Sequence, residues 1–187
     1  MRTPAALALA LALGACREAD APEPPASAGE VSFRLDGEPW SDRDDVAAWV
    51  TESGGLSLTA QGDCLSGSRC TAFSLELGDL ATGSSSAAYR DTGPAGVEGA
   101  VITESLVGDS AGAWTFSHLA TGGTVTVERA GGAGALVAGT FEGVFVIQDH
   151  QRSAPGRTLP DTLRVTDGAF RVRPWGANGP PRRPESD

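Results

Sequence analysis

The residues of this chain best suited to chemistry include a serine, Ser110, that stands close to two glycines. Residues 108–112 read Gly-Asp-Ser-Ala-Gly, the spacing that places a nucleophilic serine on a sharp turn in hydrolases. The chain order Ser110, Glu142, His150 is also compatible with such an enzyme. That architecture needs a helix after the serine, whereas residues 113–118 alternate in polarity like a strand. The sequence therefore favours a polar hairpin turn between strands at 101–107 and 113–119, and a serine hydrolase using Ser110 ranks last among the alternatives.

The same five residues resemble the nucleophile segment of chymotrypsin-like proteases. Those proteases carry their histidine before the serine, but both histidines of this chain, His118 and His150, follow it. His118 shares a strand face with Trp114 and Phe116, which predicts a core position. His150 lies in a polar run, Gln-Asp-His-Gln-Arg, which predicts surface exposure. With two histidines and no His-Glu-x-x-His motif, we expect no metal, no cofactor and no catalytic residue.

Acidic residues are concentrated between positions 36 and 45, where Asp36, Glu38, Asp42, Asp44 and Asp45 occur. Several carboxylates together attract Ca²⁺, because hard cations need many oxygen ligands. An EF-hand loop starting at Asp42 fails, since Ala47 stands where glycine is required and Ser53 where a bidentate glutamate is required. We therefore expect a solvated acidic loop.

Three tryptophans, Trp40, Trp49 and Trp114, are candidates either for the core or for a ligand surface. Trp40 follows Pro39 in a turn region and is the best placed of them to face a ligand. A pocket with clustered, exposed tryptophans would indicate a domain that binds a small ligand or a carbohydrate. Core packing is the favoured interpretation, and ligand binding is kept as the alternative function.

The N-terminus has the pattern of an export signal. Met1-Arg2 supplies a short positive region, and residues 5–13 form an apolar run too short to span a bilayer. The run ends in Leu13-Gly14-Ala15-Cys16, which resembles the lipobox of bacterial lipoprotein precursors. The resemblance implies removal of a signal peptide, residues 1–15, and attachment of diacylglycerol and palmitate-type acyl chains to Cys16. An ordinary signal peptide with a coincidental cysteine is the alternative.

The residue after Cys16 is Arg17 rather than the aspartate that often retains diderm lipoproteins at the inner membrane. The resemblance therefore implies a cell-envelope protein anchored through Cys16, at the outer membrane if the host is diderm. Residues 16–29 contain three prolines and no large apolar side chain, a composition that predicts a flexible tether.

Two further cysteines, Cys64 and Cys70, remain once Cys16 is assigned to lipid. An even number in an exported chain predicts a disulfide, and the five residues between them include Gly67 and two serines. A metal site is the rival interpretation, but it needs three or four ligands and no other cysteine or histidine is near in sequence.

The remaining pattern predicts an all-β fold, an antiparallel β-sandwich or a partly open β-barrel. Short alternating runs recur about every ten residues between glycine-rich turns. Asp36-Gly37 predicts a hairpin turn, and Asp167-Gly168 lies between two further alternating runs. We expect a single domain over residues 30–174, followed by a disordered tail, 175–187.

Charge excludes one class of partner. The chain has 24 acidic residues against 14 basic ones, all arginine, for a net charge of −10, which argues against nucleic-acid binding. The charge is uneven, since residues 152–183 hold seven of the arginines. We expect the two oppositely charged parts to pair within one fold.

The predicted domain opens with Phe33, Gly37 and Trp40. Towards its end, a predicted strand at 139–143 is paired with a second predicted strand at 165–170, and both contain glycine and phenylalanine. This arrangement is similar to a group of uncharacterised bacterial lipoproteins with a lipobox, a tether and an all-β domain. It implies an envelope β-domain and transfers no catalytic residue. We therefore expect a non-enzymatic, lipid-anchored protein whose partners are the membrane and an envelope protein or small ligand.

Overall fold

The computed structural model describes residues 29–62, 69–91, 97–108, 112–152 and 159–177. These residues form eleven β-strands and a single 3₁₀ turn, Asp149–Gln151. The strands are β1 (Glu30–Leu35), β2 (Glu38–Asp42), β3 (Val46–Val50), β4 (Leu56–Gln61), β5 (Arg69–Leu77), β6 (Gly83–Ser86), β7 (Arg90–Asp91), β8 (Val97–Gly108), β9 (Gly112–Arg129), β10 (Val137–Ile147) and β11 (Thr162–Val172).

Nine of these strands form a nearly closed antiparallel barrel in the order β2-β1-β11-β10-β9-β8-β5-β4-β3. The short strands β6 and β7 pair with β9 and β8 respectively. The predicted all-β antiparallel fold is therefore confirmed, with the partly open barrel as its form. β11, which carries Arg164 and Arg171, lies between β1 and β10.

The barrel closes where β2 and β3 stand at the two ends of the strand order. There the chain beyond β11 covers the edge of β3. The N–H of Trp175 donates to the carbonyl of Ala48, and the N–H of Val50 donates to the carbonyl of Trp175, each at 2.9 Å. This parallel bridge corrects the sequence assignment of Trp175 to a disordered tail. Glycine and proline surround Trp175 and predict irregular structure there. The contact is made by backbone groups of an edge strand, so the side-chain pattern does not reveal it.

Asp42, at the end of β2, connects the loop after β2 to the end of β4 on the same side of the barrel. Its Oδ1 accepts hydrogen bonds from the N–H groups of Asp44 (3.0 Å) and Asp45 (3.1 Å), and its Oδ2 accepts one from Gln61 at the end of β4 (2.8 Å). Asp42 is only 8% exposed. The predicted solvated acidic loop is therefore wrong for Asp42, because its carboxylate satisfies backbone donors of two elements.

The turn between β1 and β2 has the two-residue form expected from Asp36-Gly37. Both residues have positive φ, 51° and 90°, as a type I′ hairpin requires. Asp36 also joins this turn to β11, since its N–H donates to the carbonyl of Arg164 (2.8 Å) and its Oδ1 accepts from the N–H of Arg164 (2.7 Å). Asp167, by contrast, lies inside the continuous strand β11 with φ of 53°, at a bulge opposite Phe141 and Gly143.

The 18-residue strand β9 is the longest element, and one of its edges is shared by two partners. Its first half pairs with β8 and its second half pairs with β6. The chain between β6 and β7 fills the space where β8 diverges, because Ala87 donates to Gly123 and accepts from Ala100. A Cβ on Gly99, whose φ is +108°, would lie 2.5 Å from the carbonyl oxygen of Ala88. Glycine is therefore required there by both conformation and space.

Alternate residues of the strands point inward and fill the barrel. Phe73 stacks on Phe141 with ring centroids 4.6 Å apart, and Phe33 packs against both rings at 5.5 and 5.8 Å. Trp40 stacks on Phe33 at 4.4 Å. The resulting core is apolar and continuous through the barrel. Burial of this apolar surface is the main stabilising term available to the domain.

Replacing Asp42 with alanine should destabilise the domain by about 3 kcal/mol, because three backbone N–H groups lose a charged acceptor. The measurement is the free energy of unfolding in urea. Asp44→Ala is the matched control, since its exposed side chain should change stability by less than about 0.5 kcal/mol. Equal effects of the two substitutions would contradict the closing role assigned to Asp42.

Candidate functional site

The packed interior of the barrel limits where this protein can bind a ligand. Because Phe33, Phe73 and Phe141 are in mutual contact and at most 4% exposed, a ligand inside the barrel would have to displace core side chains. The open clefts lie instead among surface residues. Two adjoining clefts, of about 230 and 400 Å³, flank Glu142 on the surface of β9, β10 and β11.

The tryptophans predicted as ligand candidates take different places. Trp40 is half-buried between Phe33 and Gly62, since a Cβ on Gly62 would lie 2.7 Å from the indole Nε1. Trp49 is half-buried on β3, where its backbone bridges to Trp175. Trp114 belongs to β9, but its side chain lies outside the described residues. The clefts beside Glu142 contain none of these tryptophans, and their role in ligand binding stays a prediction.

A buried polar pair, Glu104 and His118, is the feature that the sequence did not single out as a unit. Glu104 on β8 is 2% exposed and His118 on β9 is 0% exposed. The two are diagonal neighbours, because Ile102 pairs with His118 and Glu104 pairs with Phe116. Burial confirms the prediction that His118 is a core residue. The exposed position of His150 in the 3₁₀ turn also agrees with the sequence.

Glu104 and His118 hold the chain that leads into β11. The Nε2 of His118 donates to the carbonyl of Pro160 at 2.8 Å, and Oε2 of Glu104 accepts the N–H of Leu159 at 3.4 Å. The N–H of Ile147 donates to the carbonyl of Asp161 at 2.9 Å. Two ionisable side chains thus anchor Leu159–Asp161 across one end of the barrel. Through these two hydrogen bonds to backbone groups, the pair acts as a clasp that fixes the chain entering β11 against β8 and β9.

A second partly buried acid, Glu76, lines a cleft of about 390 Å³ with Asp79, Arg90 and Glu98. The hydroxyl of Ser57, on the neighbouring strand, donates to Oε1 of Glu76. Burial raises the pKa of the Glu76 carboxyl above its ordinary value, and the hydrogen bond from Ser57 partly offsets this. The sequence did not predict this contact, because Ser57 and Glu76 are ordinary residues of alternating strands. Only the register of β4 and β5 brings them together.

Several residues of the predicted sites lie wholly or partly outside the described residues. Cys16, Cys64 and Ser110 lie outside the described residues, and Cys70 is the second residue of β5. The Cys64–Cys70 disulfide therefore stays a prediction. β8 and β9 form the predicted hairpin, with Gly108 opposite Gly112, so a strand rather than a helix follows the segment that contains Ser110.

Within the described ranges, histidine, cysteine, aspartate and glutamate side chains form no group of three that is suited to hold a metal ion. The acidic residues at 36–45 are separated, with Asp36 at the turn between β1 and β2 and Asp42 buried at the end of β2.

No protein-family model, curated protein or solved structure matches this chain. None of the described residues belongs to a helix with the length and apolar character needed to cross a membrane.

His118→Ala should lower the free energy of unfolding by about 2 to 4 kcal/mol, since it removes a buried ring and leaves the Pro160 carbonyl without that donor. His150→Ala is the matched control and should stay within about 0.5 kcal/mol of the parent. Urea unfolding measures both. If the two variants were equally stable, the clasp role of His118 would be excluded.

Glu76→Gln should be more stable than the parent at pH 7, because the parent must hold a partly desolvated carboxylate. A raised folded-state pKa means that the folded chain binds the proton more tightly than the unfolded chain, so the penalty disappears as pH falls below the ordinary value of 4.5. The stability difference between variant and parent should therefore shrink between pH 7 and pH 4. Glu142→Gln, on the exposed surface, is the control, and a difference independent of pH would count against a raised pKa.

Proposed function

We propose that this chain is a lipid-anchored cell-envelope protein whose β-barrel domain binds an envelope partner through its outer surface and performs no catalysis. The observation that carries the binding part is the aromatic filling of the barrel by Phe33, Phe73 and Phe141. Since the interior is occupied, the sheet surface and the barrel ends are left for recognition. The partner is a surface rather than a small molecule enclosed by the barrel.

The anchoring part rests on Leu13-Gly14-Ala15-Cys16 and on the organisation of the chain that follows. Cleavage before Cys16 leaves residues 16–29 as a tether, and β1 begins at Glu30. Several acyl chains on Cys16 supply stable attachment where one chain would be marginal. The outer membrane is the proposed location in a diderm host, because Arg17 replaces the inner-membrane retention signal.

Two observations favour binding over catalysis. His118 is buried and its Nε2 is committed to the Pro160 carbonyl, so this nitrogen is poorly placed to act as a general base on a surface-bound substrate. The segment containing Ser110 connects two paired strands, whereas a nucleophile elbow of the hydrolase kind leads into a helix.

The proposed Cys64–Cys70 disulfide would serve this module as a staple. β4 and β5 are paired from Gln61 and Ala72 onward, so the bridge would close the connection between two neighbouring strands. Closing so short a loop contributes on the order of 2 kcal/mol, by restricting the unfolded chain.

The test of the anchor is the intact mass of the protein extracted with detergent from its host membranes. The expected mass is that of residues 16–187 plus lipid, minus two hydrogens for the disulfide. Cys16→Ala should move the protein from the detergent phase to the aqueous phase on phase separation. The matched control is Cys64→Ser with Cys70→Ser, which should keep the lipid and lose only the disulfide.

A water-soluble parent protein that carries no lipid would overturn the anchor. Ser110→Ala supplies the complementary check on catalysis, since a serine-reactive fluorophosphonate should label neither the parent nor the variant. Labelling of the parent that the substitution abolishes would replace the binding role with that of a hydrolase.

A further inference from the structure

Arginine side chains converge at the end of the barrel where the folded chain begins. Arg171 on β11 lies directly opposite Glu30 on β1. The pairing of Val31 with Asp42 brings Arg43 to the other side of Glu30. A cleft of about 380 Å³ opens at this point, and its lining consists of Gly29, Glu30, Arg43, Leu136, Arg171 and Arg173.

The residues that line this cleft carry a net positive charge. Glu30 is occupied by Arg43, whose Nε and Nη2 donate to Oε1 at 3.0 and 2.5 Å. Arg173 donates from Nη1 to the carbonyl of Gly134 at 3.3 Å, which holds its guanidinium beside the cleft. Arg171 is exposed, and its guanidinium has no hydrogen-bond or ion-pair partner among the described residues. Three guanidinium groups therefore face one carboxylate, in a chain whose net charge is −10.

This geometry suits a group with several anionic oxygens, such as a phosphate. A guanidinium is a planar fork of donors that matches phosphate oxygens in pairs, and it stays charged at every physiological pH. Arg171 lies on β11, on one side of β1, and Arg43 directly follows the last residue of β2, on the other side of β1. Asp44 and Asp45 follow Arg43 in the chain but do not line the cleft, so the recess itself keeps its positive charge.

The position of the cleft identifies the source of that phosphate. Gly29, the residue before β1, is part of its lining. The thirteen residues from Arg17 to Gly29 span at most about 45 Å when fully extended. Under the proposed function, a lipid on Cys16 therefore confines this end of the barrel to the neighbourhood of headgroup phosphates.

We propose that the cleft formed by Arg43, Arg171 and Arg173 binds the phosphate of an anionic lipid headgroup and docks this end of the barrel on the membrane. The inference rests on the proposed lipid anchor for its location. The binding chemistry itself does not require the lipid on Cys16.

The experiment measures binding of the mature full chain, carrying Cys16→Ser to prevent lipidation, to vesicles by sedimentation. Vesicles of phosphatidylglycerol and phosphatidylcholine are compared with vesicles of phosphatidylcholine alone. Each arginine near an anionic surface contributes about fivefold to binding, so Arg171→Gln with Arg173→Gln should lower the partition coefficient roughly 30-fold. Binding of the parent should also weaken steeply between low and high salt.

The matched control is Arg34→Gln with Arg90→Gln, which removes the same charge from exposed positions outside the cleft. It should retain most of the binding. Equal losses in the two double variants would show a general charge effect and overturn the cleft, as would equal binding of the parent to both kinds of vesicle. Far-ultraviolet circular dichroism and urea unfolding confirm that each compared variant is folded.

A separate arm uses inorganic phosphate as the probe, with ionic strength held constant. Displacement from vesicles only at millimolar phosphate supports a headgroup site. Binding of free phosphate with an affinity equal to that for vesicle phosphate would overturn the lipid assignment. Failure of the anchor is read independently from the mass at Cys16, so an anchored protein with no preference for anionic vesicles would reject this inference alone.

Discussion

A sheet that curls on itself must join, cover or expose its two outermost strands. In this protein that constraint falls on β2 and β3, which follow each other in the chain but stand at opposite ends of the strand order. The buried Asp42 carboxylate satisfies backbone donors on both sides of the seam, and Trp175 covers the edge of β3. The rest of the barrel depends on this seam, because the inward faces of the strands share one core only while the sheet stays curled.

The core shows how a chain with modest apolar content fills a barrel of this size. A few aromatic rings supply much of the volume, and their mutual stacking adds orientation to burial. The polar residues Glu104 and His118 occupy one end, where they bind backbone groups of the chain leading into β11. Buried ionisable groups of this kind are tolerated when hydrogen bonds replace their lost hydration. The result is an interior devoted to stability and an exterior available for recognition.

Local patterns in the sequence were sufficient to predict the fold class, the Asp36-Gly37 turn, the β8–β9 hairpin and the burial of His118. Each of these depends on neighbouring residues whose polarity or conformation is readable in a short window. Gly83–Ser86 escaped prediction because its side chains are exposed and its pairing is set by the edge of β9. Trp175, Asp42 and the Ser57–Glu76 contact escaped for the same kind of reason, since each is created by elements distant in sequence.

The candidate sites also combine features that local sequence predicts with features that only long-range strand pairing creates. The arginines of the cleft near Gly29 are readable individually, but only the register of β1, β2 and β11 shows that they lie together. The tryptophans were readable as aromatic anchors, whereas the direction of the Trp40 ring depends on the close approach of Gly62. Composition predicts which residue types a site can use, and long-range pairing decides which of them meet.

The register of the longest strands gives the domain a polarity. Val137 and Val172 pair at the end where the folded chain begins and finishes, while Ile147 pairs with His118 towards the other end. The β8–β9 hairpin projects onward from there to Gly108 and Gly112. β9 runs from the end of the barrel that holds Glu30 and Val172 to the β8–β9 hairpin, a length on the order of 50 Å. Under the proposed anchor on Cys16, the paired ends of β8 and β9 at Gly108 and Gly112 would be the described part of the domain farthest from the membrane, and the first to meet an approaching molecule.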